Sequence, residues 1–399
     1  MVIWANRTVG LFCGLLLVAL AAAAPAAASS GGRSSQSAPV CGPVLTGAAR
    51  CHSFIVLDRS GVKPFATTSP TGYGPSDLQS AYSLPSSTAG GGQTVAIVDA
   101  YDDPKAESDL GTYRSTYGLS SCTTANGCFR KVNQTGGTSY PRGDHGWALE
   151  ISLDVQMVSA VCPNCHILLV EASSNSLTNL EAAVNEAATL KANEISNSYG
   201  GSESSTETSA DAAYNHPGIA ITASSGDGGY GVEYPAASPY VTAVGGTALS
   251  RSTSAARGWT ETAWSGAGSG CSAYEPQQTW QASNANITSV CSRRAVADVS
   301  ADADPNTGVS VYDSYGYQGQ KGWFVVGGTS VSSPVIASVY ALAGNAGTVT
   351  YGSYPYSNST SLWDITTGSN GSCGNLLCNA TTGWDGPTGL GTPNGTTAF

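Results

Sequence analysis

The sequence is poor in charged residues, and positive charge is especially scarce. Only 11% of the residues are charged, and 16 lysines and arginines stand against 27 aspartates and glutamates, which gives a net charge of -11 at pH 7. Because proteins bind nucleic acids through clusters of lysine and arginine, this balance argues against a nucleic-acid partner. It is instead typical of a protein that stays soluble outside the cell.

Long apolar runs are missing as well, except near the N-terminus. An apolar segment over residues 9–23 follows Arg7 and leads into a tract of small residues, and this segment is short for a membrane span. The sequence therefore predicts a secretory signal peptide over residues 1–28, an exported, extracellular mature protein and no membrane partner. The alternative is a single N-terminal membrane anchor.

Histidine occurs only four times, and the cysteines are not arranged as a metal site. Cys13 falls within the predicted signal peptide, and the other ten cysteines form five pairs of near neighbours, which indicates disulfides in an exported chain. Pairing between neighbours is the simplest arrangement, although the sequence does not fix the connectivity. No second motif or histidine cluster accompanies the Cys-Pro-Asn-Cys segment at 162–165, so we expect a structural loop there and not a zinc site. The neighbouring pairs are Cys41 and Cys51, Cys122 and Cys128, Cys162 and Cys165, Cys271 and Cys291, and Cys373 and Cys378.

Short apolar strands alternate with helical stretches through the middle of the chain. This alternation predicts βαβ units and an α/β fold with a mostly parallel central sheet flanked by helices. Residues 29–75 form a short, polar N-terminal segment that is too small for a core of its own, and residues 76–399 read as one domain. The predicted strands cover 94–99, 166–171, 194–198 and 219–223, and the predicted helices cover 104–117, 147–160, 177–192 and 205–214.

A glycine-rich turn at Gly327 and Gly328 separates an apolar strand from an uncharged run of helical length over residues 335–344. Ser330 would then stand at or near the start of a buried helix. There the unpaired N–H groups and the positive end of the helix dipole favour an oxyanion, which suits a nucleophilic hydroxyl. The alternative is that this serine is only a helix cap.

Two acidic residues, Glu150 and Asp154, lie in a predicted helix that begins near Asp144 and is apolar over most of its circumference. Their spacing of four makes them neighbours on one helix face. Two carboxylates in apolar surroundings repel unless they share a proton, and sharing turns one into a general base with an orienting partner. Caps or an arginine could equally satisfy the pair.

Asp227 follows the apolar strand at 219–223 in a Ser-Gly-Asp-Gly turn. Loops at the carboxyl ends of parallel strands are common places for active sites. If its environment keeps Asp227 protonated, this residue can donate a hydrogen bond to an oxyanion. The simpler reading is an ordinary turn aspartate.

The three motifs, in this order, resemble those of the sedolisins, which are serine-carboxyl peptidases. The resemblance covers nearly everything from Tyr73 to the C-terminus, and it implies a subtilisin-like fold. The implied roles are Ser330 as nucleophile, Glu150 as general base, Asp154 as the residue that orients Glu150, and Asp227 in the oxyanion hole. The motifs are Glu150-x-x-x-Asp154, Ser225-Gly226-Asp227-Gly228 and Gly328-Thr329-Ser330-x-Ser332-x-Pro334.

The function implied by this resemblance is that of a secreted serine-type endopeptidase that cleaves proteins or peptides through an acyl-enzyme. We expect it to act as a monomer. A carboxylate base, with an ordinary pKa of about 4.3 against about 6.5 for histidine, stays competent in acid, and Asp227 donates only when protonated. An acidic working pH is therefore expected.

The C-terminal region resembles the calcium site of the sedolisins. Carboxylates and backbone carbonyls in glycine-rich turns are the ligands that a hard cation prefers. The resemblance implies one structural calcium ion, and the alternative is a pair of turn aspartates. The implied ligands are the side chains of Asp364 and Asp385 and the carbonyl oxygens of Ile365, Thr381 and Gly383.

The sequence departs from the sedolisins in its N-terminal region, because only residues 29–75 stand between the signal and the peptidase-like region, in place of a long pro-domain. A subtilisin-type triad of Asp99, His145 and Ser330 is an alternative, since these residues occur in the right order. Against it, His145 is not followed by the usual Gly-Thr-His helix start. A third possibility is a secreted calcium-binding module without catalysis.

Overall fold

A computed structural model describes residues 1–5 and 36–399. Most of the predicted signal peptide, 1–28, and the start of the segment 29–75 lie outside the described residues. Within the described residues the helices are α1 (Pro75–Ala81), α2 (Ala106–Thr116), α3 (His145–Val161), α4 (Leu177–Thr189), α5 (Glu207–Ala210), α6 (Thr279–Ala282), α7 (Ala285–Val290), α8 (Thr329–Ala343) and α9 (Ser353–Ser357). No helix in this part of the chain combines the length and the apolar character that crossing a membrane requires.

The strands, listed here in chain order for the same residues, gather mainly in one large sheet. They are β1 (Ser37–Pro39), β2 (Arg50–Cys51), β3 (Phe54–Val56), β4 (Thr94–Ala100), β5 (Phe129–Asn133), β6 (His166–Ala172), β7 (Glu194–Asn197), β8 (Tyr199–Ser202), β9 (Ala220–Ser224), β10 (Glu233–Tyr234), β11 (Thr242–Arg251), β12 (Trp259–Ala263), β13 (Gly270–Cys271), β14 (Ala295–Val296), β15 (Val299–Asp302), β16 (Val309–Tyr317), β17 (Gln320–Gly327), β18 (Leu362–Trp363) and β19 (Thr392–Pro393).

The large sheet has the strand order β12-β11-β9-β7-β4-β6-β5, with β15 paired to β11. Every pair in it is parallel except β11 with β12. The α/β prediction with a mostly parallel central sheet is therefore confirmed. The predicted strands at 94–99, 166–171, 194–198 and 219–223 correspond to β4, β6, β7 and β9 within one or two residues.

Two buried helices, α3 and α8, pack on each other beside this sheet. The side chain of Asp144 caps α3 by accepting hydrogen bonds from the N–H groups of Gly146 and Trp147 at 2.9 and 3.0 Å. All residues of α3 from Trp147 onward are buried. The acidic residues of this helix therefore have no route to solvent.

The N-terminal segment from residue 36 belongs to the same compact unit as the rest of the chain. Strands β1 and β3 extend the hairpin of β16 and β17 into a four-stranded sheet, and β2 pairs with β8 in a separate three-stranded sheet. The chain between β2 and β3 must therefore cross from one sheet to the other. Residues 52 and 53 make this crossing.

All five disulfides join the neighbouring cysteines, as the simplest pairing predicts. Cys162 and Cys165 are bonded to each other and buried between the end of α3 and the start of β6. The disulfide between Cys41 and Cys51 closes a loop just before the crossing.

Candidate active site

Ser330 is the second residue of α8 and is fully buried. Gly328 precedes the helix with a φ of 103°, a conformation that favours glycine. Pro334 lies inside the helix and has no N–H to donate to the carbonyl of Ser330. The hydroxyl of Ser198 donates a hydrogen bond to the carbonyl oxygen of Ser330 instead, at 3.4 Å. The hydroxyl of Ser330 in turn donates to the carbonyl oxygen of Ser198 at 3.1 Å.

Three carboxyl groups, those of Asp99, Glu150 and Asp154, are fully buried together. Among the described residues, no hydrogen bond reaches an oxygen of any of them. Burial raises the pKa of Glu150 to about 8, against the opposing influence of the nearby Ser330 and Ser53 hydroxyls. Burial, and then the charges of neighbouring carboxylates, raises the pKa values of Asp154 and Asp99 well above their usual range.

Glu150 is the one of these three carboxyl groups that lies beside the hydroxyl of Ser330. In addition to burial, its negative charge raises the pKa values of both Asp99 and Asp154, so the three groups do not lose their protons independently. The sequence analysis assigned Asp99 only to the alternative triad. The position of Asp99 near the end of the buried strand β4, beside α3, was the signal that could have placed it with Glu150 and Asp154.

Asp227 faces the start of α8. Its Oδ1 accepts hydrogen bonds from the N–H and the hydroxyl of Thr329, both at 2.8 Å. Its Oδ2 is buried and has no partner among the described residues. Burial raises the pKa of Asp227 to about 6, although the charge of His52 and the bonds from Thr329 oppose the rise. A neutral Asp227 in mild acid therefore has a free O–H to donate.

The segment 50–56 lies across the start of α8, with the short strands β2 and β3 on either side of residues 52 and 53. On one side, Arg50 and Cys51 pair antiparallel with Gly200 and Tyr199. On the other side, the residues of β3 pair antiparallel with the end of β17. The crossing brings the chain's own peptide bond between residues 52 and 53 against the start of α8.

Two hydrogen bonds hold His52, the residue before this peptide bond, in place. The N–H of His52 donates to the carbonyl oxygen of Ser198 at 3.1 Å, and the N–H of Ser330 donates to the carbonyl oxygen of His52 at 2.9 Å. A Cβ on Gly328 would lie 2.2 Å from that carbonyl oxygen and 2.6 Å from Oδ2 of Asp227, so only glycine fits here. Asp227 and the N–H of Ser330 thus flank the same carbonyl oxygen.

His52 was not singled out by the sequence, where His145 was the histidine considered for an alternative triad. In the structure His52, and not His145, lies at the site. His145 is exposed, contacts the carbonyl oxygen of Gly316 through Nδ1 at 2.7 Å and stacks on Tyr315. Among the described residues the Ser330 hydroxyl bonds Ser198 and neither oxygen of Asp99 has a partner, so the triad of Asp99, His145 and Ser330 is not assembled.

The ring of His52 is not placed to act as a base either. Its Nδ1 contacts the hydroxyl of Ser224 at 2.8 Å, and its Nε2 contacts Oε2 of Glu233 at 2.9 Å. Both nitrogens are engaged away from Ser330. The carboxyl group that lies near the Ser330 hydroxyl is instead that of Glu150.

The predicted calcium ligands lie close together at the C-terminal end of the chain. Oδ2 of Asp364 accepts from the N–H of Gly383 and Oδ2 of Asp385 from the N–H of Thr381, both at 2.9 Å. Burial raises the pKa of Asp385 to about 7, and the charge of Asp364 adds to the rise, so the two carboxylates are near each other. In the described part of the chain no group of three or more His, Cys, Asp or Glu side chains is suited to a metal, so a cation here would need backbone oxygens as well, such as that of Ile365.

The chain was compared with known protein families and proteins. The sequence model of the subtilase family matches residues 110–350. Kumamolisin from Bacillus sp. (strain MN-32) is 32% identical over 82% of this chain and 63% of its own length. Sedolisin from Pseudomonas sp. (strain 101) is 29% identical over 87% of this chain and 64% of its own length. The chain thus spans just under two thirds of the length of these relatives.

Solved structures show the same fold. The structure of Pseudomonas sedolisin, a serine-carboxyl proteinase complexed with two molecules of pseudo-iodotyrostatin, superposes with a TM-score of 0.68 at 28% identity. It covers 82% of this chain, and the match covers 96% of that one. Sphericase superposes with a TM-score of 0.51 at 19% identity, over 82% of this chain and 98% of its own. The architecture is therefore that of the subtilisin-like α/β proteins.

Proposed function

The chain belongs to the subtilase family and, within it, is a relative of the sedolisins, and from this premise we propose that it is a secreted serine-carboxyl endopeptidase. Its substrates are proteins and peptides, and its nucleophile is Ser330. Five disulfides suit an oxidising, extracellular setting.

One observation carries this proposal, namely that the segment 50–56 lies across the site in the way that a peptide substrate would. Main-chain pairing on both sides of a bond is how extended peptides are held by strand edges. The carbonyl oxygen of His52 accepts a hydrogen bond from the N–H of Ser330, and the N–H of the nucleophile is a common oxyanion donor in serine peptidases. The peptide bond between His52 and Ser53 is thus the first bond that we expect this site to cleave.

The chemistry follows from the neighbours of Ser330. Its hydroxyl turns from the Ser198 carbonyl toward Glu150, gives its proton to that carboxylate and attacks the substrate carbonyl carbon. The negative charge on the carbonyl oxygen is stabilised by the N–H of Ser330 and by protonated Asp227. Glu150 then passes the proton to the departing amine as the C–N bond breaks, and an ester on Ser330 remains.

Water completes the reaction by the reverse route. Glu150 accepts a proton from the water, which attacks the ester carbonyl carbon, and the Ser330 hydroxyl leaves with that proton. Asp154, one helical turn from Glu150 and buried beside it, is the residue that we propose to orient Glu150. The reaction needs Asp227 protonated and Glu150 ionised. The pKa of Asp227 is raised to about 6, and the positive charge of a histidine bound at the site works against the rise in the pKa of Glu150, so we propose a working range in mild acid.

Calcium is the proposed structural ion. Asp364 and Asp385 lie near each other, and their mutual repulsion contributes to the raised pKa of Asp385. A divalent cation held by both would remove this repulsion. Since backbone N–H groups already bond three oxygens of these two carboxylates, the turns are fixed in place for such an ion.

The test is self-cleavage of the full-length protein. After incubation in mild acid, mass spectrometry and N-terminal sequencing of the wild type should find a new chain that begins at Ser53. Ser330→Ala should stay intact and should lose about 10³-fold or more of the hydrolysis of a fluorogenic peptide. Ser338→Ala, from the same helix, is the matched control and should behave as the wild type.

The outcomes separate the candidate functions. A wild type that stays intact, hydrolyses no peptide and resists labelling of Ser330 by a phosphonate would be a module without catalysis. A wild type that hydrolyses peptides but keeps the bond between His52 and Ser53 would be a peptidase in which this segment leaves the site without being cleaved.

A further inference from the structure

The side chain of His52 fills a pocket beside the candidate active site. The side chain is fully buried, and both of its nitrogens have partners, the hydroxyl of Ser224 at 2.8 Å and the carboxylate of Glu233 at 2.9 Å. Ser224 is the last residue of β9, and Glu233 is the first of β10. The two polar partners of the ring are therefore held by two strands.

The shape of the pocket is matched to a flat ring. A Cβ on Gly200 would lie 2.6 Å from Cε1 of the His52 ring and 3.1 Å from Oε2 of Glu233. The absence of a side chain at Gly200 thus leaves a slot along the edge of β8 in which the imidazole lies. A lysine would present only one nitrogen to the Ser224 hydroxyl and the Glu233 carboxylate, and an aliphatic side chain would present none.

Charge also favours a histidine here. Burial works to lower the pKa of His52, but the charge and hydrogen bond of Glu233 outweigh it, so that the pKa rises. Burial alone would raise the pKa of Glu233, yet the charges of His52 and Arg50 lower it to about 2. The carboxylate therefore stays ionised in acid, where a histidine side chain is a cation.

We propose that Glu233 and Ser224 form the specificity pocket of this site and select substrates with histidine immediately before the cleaved bond. The proposal rests on the peptidase function proposed above and names its preferred substrates. Oε1 of Glu233 also bonds Nη2 of Arg50 at 2.9 Å, two residues before His52. The same carboxylate therefore adds a weaker preference for arginine at that position, whose side chain is one-third exposed.

The experiment compares peptides that differ in one residue. The parent carries the sequence of residues 48–56 with alanine in place of Cys51, and its variants carry leucine or lysine in place of His52, or alanine in place of Arg50. Cleavage by the full-length protein, after incubation in mild acid, is measured as kcat/KM. We expect the histidine peptide to exceed the leucine peptide by about 10-fold to 100-fold, which is the effect of a buried charge-assisted hydrogen bond.

A variant of the pocket then tests its cause. Glu233→Gln should abolish most of the preference for histidine, measured as the ratio of kcat/KM for the histidine peptide to kcat/KM for the leucine peptide. Glu107→Gln changes a carboxylate that bonds Thr124, far along the chain from the pocket residues, and should keep the full preference. Thermal unfolding of both variants shows whether they are folded.

The outcomes distinguish this inference from the function on which it rests. Equal cleavage of the histidine and leucine peptides by the wild type overturns the inference and leaves the peptidase function standing. A histidine preference that survives in folded Glu233→Gln also overturns the inference and leaves the peptidase function standing. If the wild type cleaves none of the peptides and Ser330 resists phosphonate labelling, the peptidase function is wrong, and the inference falls with it.

Discussion

The N–H of Ser330 donates a hydrogen bond of 2.9 Å to the carbonyl oxygen of His52. This bond joins the start of a buried helix to a segment from the other end of the chain. It holds the carbonyl oxygen of His52 at the start of α8, which is the place that the proposed function gives to the carbonyl oxygen of a substrate.

Loss of the carboxylate at position 150 should abolish activity, whereas loss of the imidazole at position 145 should not. Glu150→Gln removes the proton acceptor and should lower kcat by about 10²-fold to 10⁴-fold. His145→Ala should retain activity within about twofold, because His145 is exposed and bonded to Gly316. Hydrolysis of a fluorogenic peptide checks both. The opposite result, with Glu150→Gln active and His145→Ala inactive, would restore the subtilisin-type triad.

The activity should decline on the alkaline side as Asp227 loses its proton. Its pKa is raised to about 6, mainly by burial, so this group is neutral below that value and charged above it. A charged Asp227 cannot donate to the oxyanion and repels it. We therefore expect kcat to fall above about pH 6.

The variant Asp227→Asn tests the assignment, since an amide donates a hydrogen bond at every pH. It should remove the alkaline decline in kcat while it keeps measurable activity in acid. Asp227→Ala should lose about 10²-fold to 10³-fold at all pH values. An unchanged alkaline decline in Asp227→Asn would assign the decline to another group.

The protein should be more stable in mild acid than in mildly alkaline solution. Burial raises the pKa of Asp103 to about 7 and those of Glu171 and Glu275 to about 9, whereas unfolded carboxyls titrate near 4. The folded state thus binds more protons than the unfolded state between about pH 4 and pH 9. By linkage, the free energy of unfolding is highest at the acidic end of this window and declines as the pH rises through it.

This dependence is measured as the thermal midpoint of the Ser330→Ala variant, which cannot cleave itself. We expect a fall of roughly 5–10 °C between about pH 5 and pH 8. High salt in all samples screens the repulsion that comes from the net negative charge. Asp99→Asn in the same background should make the fall smaller, because the amide does not titrate. A midpoint that rises with pH would contradict the prediction.

Calcium should stabilise the protein through Asp364 and Asp385. Adding the ion at about 100 times its dissociation constant should add about 2.7 kcal/mol to the free energy of unfolding, and a chelator should reverse the effect. Asp364→Asn should lose the response to calcium, whereas Asp304→Asn, a turn aspartate elsewhere, should keep it. Thermal unfolding in the Ser330→Ala background provides the measurement. A thermal midpoint that is the same with calcium and with chelator would contradict the proposed calcium site.

The predictable part of the fold consisted of features that are local in the sequence. The parallel sheet followed from the alternation of apolar strands with helices, and α3 followed from its apolar pattern and the Asp144 cap. The spacing of Glu150 and Asp154 placed them on one buried helix face. These features depend on residues within a few positions of each other, so the sequence displays them directly.

The role of the N-terminal segment was not predictable in this way. Its strands are two or three residues long, and their partners are β8 and β17, far away along the chain. Such pairing depends on tertiary contacts and leaves no periodic pattern in the sequence. His52 therefore looked like an isolated residue beside a disulfide, although it lies between Ser330 and Glu233.

The sequence by itself determined the α/β class and the motifs around Glu150, Asp227 and Ser330, because each rests on short-range patterns of apolar, turn-forming or reactive residues. Only the tertiary structure decided which histidine reaches the site, that Asp99 joins the buried acids, and that the chain lies across its own nucleophile. The physical reason is that burial and long-range hydrogen bonds set the proton affinities and the contacts of these groups, and both arise only when distant segments pack together.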